Sequence, residues 1–282
     1  MNTQSIIETH IEVNEDDSNL IELVVENTQL SRALIKDCMA KGGLWVERNQ
    51  HVQRCRRAKK NLLKDDVIHF YFDPKILDLK PLPLNLVSDQ QQYSVWYKPS
   101  GVLSQGSKWS DHCTVARWAE QHLLPERPAF IVHRLDKAAN GLILLAHSKK
   151  MANQLSQLFE NRQITKQYRA RVFGEFPTQR VNITESIDNK PAISHVERLK
   201  FDSETQTSVV RVDIETGRKH QIRKHLAGYG YPIMGDRLFG NKQLMESDNE
   251  MDLQLSSTFL SFVCPIDKMS KEFFIPKQFE LN

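Results

Sequence analysis

Residues 131–147, IVHRLDKAANGLILLAH, carry a single carboxylate, Asp136, behind the pair His133-Arg134 and ahead of Lys137. An acid crowded by cations has two uses. It can brace a turn, because Asp beside an Asn-Gly pair bonds local backbone, or it can act on a substrate while neighbouring positive charge keeps it ionised. A second cluster, KQYR, opens an alternating stretch in which Lys166 and Tyr168 share one face and Gln167 and Arg169 the other. A Tyr so placed packs a core or, with a cation beside it, offers a face on which a planar base stacks. The third and densest cluster is ETGRKHQIRKHLAGYGYPIMGD at 215–236. It predicts a helix running to about Ala227 with Thr216 as N-cap, so that Arg218 and Lys219 join the unpaired N–H groups of the first turn, a combination that favours phosphate. Ile222 and Leu226 mark the buried face of that helix and Arg223 lies at its edge. A partly buried Arg needs a carboxylate, since an unpaired internal charge costs several kcal/mol. Asp136 is the candidate partner, gripped by the two-pronged guanidinium, either as a catalytic pair or as a purely structural one.

Other chemistries fit less well. His133, Asp136, His220 and His225 could be imagined around zinc, but His220 and His225 are five residues apart and fall on different helix faces, unlike the i, i+4 pair of a zinc helix. No metal is expected. Neither G-x-G-x-x-G nor G-x-x-x-x-G-K-[ST] occurs, so no nucleotide cofactor is implied. The four cysteines, Cys38, Cys55, Cys113 and Cys264, are far apart without a C-x-x-C pair, which suits a reducing, cytoplasmic setting. The N-terminus is acidic and lacks the features of a secretory signal, and no apolar run approaches the ~20 residues of a membrane span.

These side chains need a scaffold, and 282 residues, 40% apolar and 26% charged, suffice for one large domain and a small one. The net charge of +3 is too small to argue for a nucleic-acid partner by itself; its distribution is more informative. Residues 1–18 read as a polar leader and 19–75 as a small α/β-type domain with two helices, the second capped by Ser31, and short strands. Residues 76–92, rich in Pro and Gln, read as a linker, and 93–282 as the larger domain. In the last, half-buried alternating strands around 165–173, 193–201 and 207–216 predict an α+β fold: a mixed, largely antiparallel sheet flanked by helices. The small domain holds a basic run containing Arg54, Arg56, Arg57, Lys59 and Lys60, which is either a solvated face or an RNA-binding patch.

The strings YKPSGVLSQ at 97, HRLDKAANGLILLA at 133, ITKQYRARVFG at 164 and ETGRKHQIRKHLAGYGYPIMGD at 215, in this order, resemble the RluA family of pseudouridine synthases. LSRALIKDCMAKGGLWVER, with the basic run and LLKDDVIHFY after it, resembles a small RNA-binding domain shared by a ribosomal protein and many RNA-modifying enzymes. The resemblance implies an isomerase without cofactor or metal, acting in rRNA processing or tRNA modification as a monomer. It also implies roles for residues. Asp136 would be the catalytic aspartate, as nucleophile or base; Tyr168 would stack on the target uracil; Arg223 would pair with Asp136; Arg134 would help fill the gap left by the flipped nucleotide. Arg218, Lys219 and the cations at Arg54, Arg56, Arg57, Lys59 and Lys60 would contact RNA. The alternative is a non-catalytic RNA-binding or ribosome-assembly factor on the same fold. The chain departs from the family's spelling at Ala139-Asn140, at Lys219 and around LQLSSTFLSF.

Overall fold

The computed structural model describes residues 5–240 and 251–281, so residues 1–4 of the expected leader and 241–250 and 282 of the expected larger domain lie outside the described residues. The chain forms two units: one comprises the residues up to Leu82 together with Gln105–Trp118, the other Pro83–Ser104 and the chain from Ala119 onward.

The smaller unit is built from β1 (Ile7–Glu12), α1 (Leu20–Thr28), α2 (Arg32–Lys41), β2 (Leu44–Arg48), β3 (His51–Arg54), β4 (Val67–Phe72) and α3 (Pro74–Leu77). Its four strands are antiparallel in the order β1-β4-β2-β3. Ser31 caps α2, accepting from the Leu34 N–H at 3.3 Å, as the sequence predicts. Ile11, Val24, Ile35, Met39, Ile68 and Phe70 close the core between helices and sheet. The expected leader therefore contains a strand. Ile11 and Val13 are buried at a spacing of two, and this short alternation is masked by the acidic residues around it.

The larger unit is built around a ten-stranded sheet. In chain order its elements are β5 (Asn85–Asp89), β6 (Tyr93–Lys98), α4 (Val115–His122), where the division between units falls, β7 (Phe130–Ile131), β8 (Asn140–Ala146), α5 (Lys149–Glu160), β9 (Thr165–Phe173), β10 (Val181–Ile183), β11 (Ser194–Asp202), β12 (Thr207–Ile214), α6 (Gln221–Gly228), β13 (Leu255–Val263) and β14 (Ser270–Phe274). The strand order is β10-β11-β12-β9-β13-β8-β6-β5, with β14 on β13 and β7 on β8, and among the described residues the one parallel pairing is β13 with β8. This is the α+β, largely antiparallel architecture that the alternation predicts. β5 occupies part of the stretch read as linker: the last proline there is Pro83, and the residues after it are free to donate to β6.

Candidate active site

Asp136 sits on the loop from β7 to β8, and the segment Lys98–Ser104 holds that loop in place. Ser104 Oγ accepts from the Leu135 N–H at 3.1 Å and donates to the Leu135 carbonyl at 2.8 Å. The Gly101 N–H donates to the Lys137 carbonyl at 2.8 Å and Ser100 Oγ to that of Ala138 at 2.8 Å. Lys98 is fully buried; its ammonium donates to the carbonyls of Pro99, Val102 and Lys137 at 3.0, 3.0 and 3.3 Å. Burial pushes this lysine down to about 7, with the charge of Asp136 opposing the shift. The string YKPSGVLSQ thus fixes the backbone on both sides of the carboxylate. Asn140-Gly141 is not a turn: it opens β8, with Gly141 at φ +114 pressed against Ser257 of β13.

Arg223, on α6, donates through Nη1 to Asp136 Oδ2 at 3.4 Å. The expected two-pronged grip goes elsewhere. Nε and Nη2 donate to Asp236 at 2.7 and 2.6 Å, and Asp236 also accepts from the N–H groups of Leu238 and Phe239 at 3.0 and 3.1 Å. Asp236 is 1% and Arg223 4% exposed. Burial works to raise the Asp236 carboxyl, but Arg223 and the two N–H groups outweigh it and hold it below the usual range. The Phe239 ring lies 5.1 Å from the guanidinium. With its plane and two nitrogens fixed, Arg223 offers Asp136 one N–H only. Asp236 went unread in the sequence because nothing periodic links it to Arg223; its one trace is the closing GD of the densest cluster.

Tyr168 on β9 is buried, and burial followed by the charge of Asp136 raises its phenol to about 12, so it remains protonated. It lines a cavity of about 100 Å³ together with Asp136, Arg134, His220 and Arg223. His220 Nε2 lies 3.8 Å from Asp136 Oδ1, and its imidazole is lowered chiefly by burial. α6 starts later than expected. Thr216 does not cap it: its hydroxyl accepts from the Ile193 N–H at 3.0 Å and donates to Gln221 Oε1 at 2.7 Å, and Gly217 and Arg218 run irregularly into a turn at Lys219 and His220 ahead of the helix. Arg218 remains at the cavity wall, and Lys219 is exposed. His225 is buried, with its ring nitrogens 2.9 Å from Ser194 Oγ and from the Glu185 carbonyl. Among the described residues no group of three or more His, Cys, Asp or Glu side chains is placed to hold a metal ion.

Residues 92–228 match the family model described as RNA pseudouridylate synthase. The dual-specificity RNA pseudouridine synthase RluA of Vibrio cholerae is 31% identical over 215 residues, which span 70% of this chain and 84% of that protein. The chain belongs to the RluA family of RNA pseudouridine synthases. A second relative in the family, ribosomal large subunit pseudouridine synthase D of Salmonella typhimurium, is 27% identical over 87% of this chain and 82% of its own. The fold is also that of a solved structure, human RNA pseudouridylate synthase domain containing 1, with a TM-score of 0.60 at 22% identity, covering 72% of this chain and 88% of that one. The chain is accordingly an isomerase that acts on RNA. For a pseudouridine synthase the arrangement around Asp136 makes chemical sense. The reaction breaks the N1–C1′ bond of a uridine and makes a C5–C1′ bond, so substrate and product are isomers. Nothing is oxidised, and Asp136 is the one carboxylate among the side chains that line the cavity.

In the smaller unit the basic run divides. Arg54 Nη1 lies 2.8 Å from Asp111 Oδ2, Arg56 is hydrogen-bonded to the same carboxylate, and further bonds run from Arg54 to the Ser107 carbonyl at 2.8 Å and from Arg56 to that of Ala40 at 2.9 Å. Both arginines are half-buried and engaged within the unit; Arg57 and Lys59 are exposed, and Lys60 is half-buried. No helix among the described residues is long and apolar enough to cross a membrane.

Proposed function

We propose that this synthase converts particular uridines of structured RNA to pseudouridine, with ribosomal RNA the favoured substrate and tRNA the next, and that Asp136 is the carboxylate that acts on the glycosidic bond. One observation carries it: Asp136, Tyr168 and Arg223 line a single cavity, although they come from sequence positions far apart. A base must leave the stack before its sugar bond can be reached, at a cost of a few kcal/mol that stacking on an aromatic face offsets. Tyr168 is the face that would take the uracil, and Arg134, exposed at the rim, the group that would fill the gap. The relative named for the ribosomal large subunit supports ribosomal RNA, since the similarity runs through 82% of its length. Four free cysteines support a reducing, cytoplasmic setting, and we take the enzyme to act as a monomer.

The test uses RNA labelled with tritium at C5 of uridine. Purified enzyme should release tritium from ribosomal RNA of cells lacking the gene, and Asp136→Asn should lower the rate at least ~10²-fold, the scale of losing a group that takes part in the bond changes, while RNA still binds. Equal release by Asp136→Asn would remove Asp136 from the chemistry. Binding without release from ribosomal RNA or tRNA by the wild type would instead favour a non-catalytic RNA-binding factor.

A further inference from the structure

Beside the Asp136 cavity lies a larger one of about 530 Å³, and the two share the walls formed by Arg134, Tyr168 and Arg218. Its other lining includes His133, Phe159, Arg162 and Lys166. This volume falls within the range of small-ligand sites, roughly 300–1,000 Å³. Arg162 and Lys166 have no assigned part in the site so far. Among the described residues neither forms an ion pair, and they are near enough for Arg162 to add to the effect of burial in lowering the Lys166 ammonium. Lys166 is half-buried, its Nζ 5.8 Å from the centre of the Phe159 ring. Two like charges near one another, neither paired with a carboxylate and one of them partly desolvated, are unfavourable unless an anion completes them.

His133 adds a neutral donor. Its Nε2 accepts from the Leu144 N–H at 2.9 Å, which leaves the ring proton on Nδ1, and its ring stacks on Phe159 with centroids 4.5 Å apart. Burial first, and the Lys166 charge after it, push this imidazole down to about 3, so it stays an uncharged N–H donor at neutral pH. Glu160 and Glu215 also line the cavity, and Glu215 is engaged with His195 Nε2 at 2.8 Å. What Arg162, Lys166 and His133 have in common is that all donate, which suits phosphate oxygens better than a base edge.

We propose that this second cavity seats a phosphodiester of the RNA strand next to the target uridine, with Arg162 and Lys166 as its cationic contacts. The proposal rests on the Asp136 cavity being the seat of that uridine: when one nucleotide is flipped there, chain connectivity brings the neighbouring backbone alongside. Contacts of this kind hold the strand in register without reading sequence.

The experiment follows tritium release from ribosomal RNA labelled at C5 of uridine, with wild type, Arg162→Gln, Lys166→Gln and the double variant, across a salt series. Each single change should raise KM roughly tenfold with kcat within about twofold, and Lys166→Arg should restore KM, separating charge from packing. The double variant should flatten the slope of log(kcat/KM) against log[salt] by about 0.7 to 0.9, the change expected when one phosphate charge is no longer neutralised. Unchanged KM and slope, or a fall in kcat alone, overturns the subsite and leaves the role of Asp136 standing. If Lys166→Arg behaves like Lys166→Gln, phosphate binding by charge is overturned as well. No tritium release by the wild type overturns both proposals.

Discussion

Arg223 lies between two carboxylates and treats them unequally. Asp236, with both short bonds and almost no exposure, is a structural anchor; Asp136, at 3.4 Å and with a side chain 27% exposed, is the one able to reorganise onto a substrate. One guanidinium cannot grip two carboxylates equally, and its two short bonds go to Asp236. In the Asp236→Asn variant Arg223 loses its two-pronged anchor and is free to turn toward Asp136. Breaking a buried pair in this way costs about 3–5 kcal/mol of stability. If only ~1.4 kcal/mol of transition-state stabilisation is lost as well, kcat falls about tenfold. Expected, then, are a lowered melting temperature and a kcat reduced at least about tenfold on protein verified as folded; a wild-type kcat would show that Asp236 does not position Arg223 for the reaction.

Asp136 owes its place to two elements outside its own loop. The Lys98–Ser104 segment bonds the loop backbone before and after it, and β13 presses against β8 where that loop ends. At Gly141 a Cβ would fall 2.3 Å from the Ser257 carbonyl oxygen and 2.4 Å from its nitrogen. Gly141→Ala should therefore cost at least about 3 kcal/mol, combining a clash with backbone and a left-handed φ, seen as a lower denaturant midpoint at unchanged m-value; an unchanged midpoint would mean that β13 can yield. Elements of this kind were legible where their signal is local. Strands β9, β11 and β12 show a period of two and α5 an i, i+4 pattern, and both repeats survive in any tertiary setting. What was not legible depended on distant partners. Thr216 has the makings of a cap, but its hydroxyl is taken by Gln221 and Ile193. Arg54 and Arg56 read as a basic surface until Asp111, more than fifty positions away, engages both. Within the candidate site, the meeting of Asp136, Tyr168 and Arg223 at one cavity follows the motifs that carry them, whereas Asp236 was not legible, because its pairing with Arg223 is set by a loop of no regular period.

For the molecule as a whole, a net charge of +3 spread over 282 residues gives little general attraction to RNA, so affinity must come from local clusters. Of the basic run in the smaller unit, Arg54 and Arg56 are engaged by Asp111, and Arg57, Lys59 and Lys60 are the candidates for contact with RNA. Replacing all three by Gln should weaken RNA binding and reduce the salt slope of log K by about 2 to 3, each cation neutralising one phosphate, as measured by filter binding of ribosomal RNA; an unchanged slope would mark this face as merely solvated. These substitutions are a cleaner probe than deleting the N-terminal residues, which would strip Asp111 of both its arginines. The same arrangement has a bearing on how the gene can change. The chain passes from one unit to the other after Leu82, again after Ser104 and again after Trp118, so neither unit corresponds to an unbroken stretch of coding sequence. A single recombination breakpoint cannot exchange the smaller unit for another, and its inheritance is tied to that of the catalytic unit it accompanies.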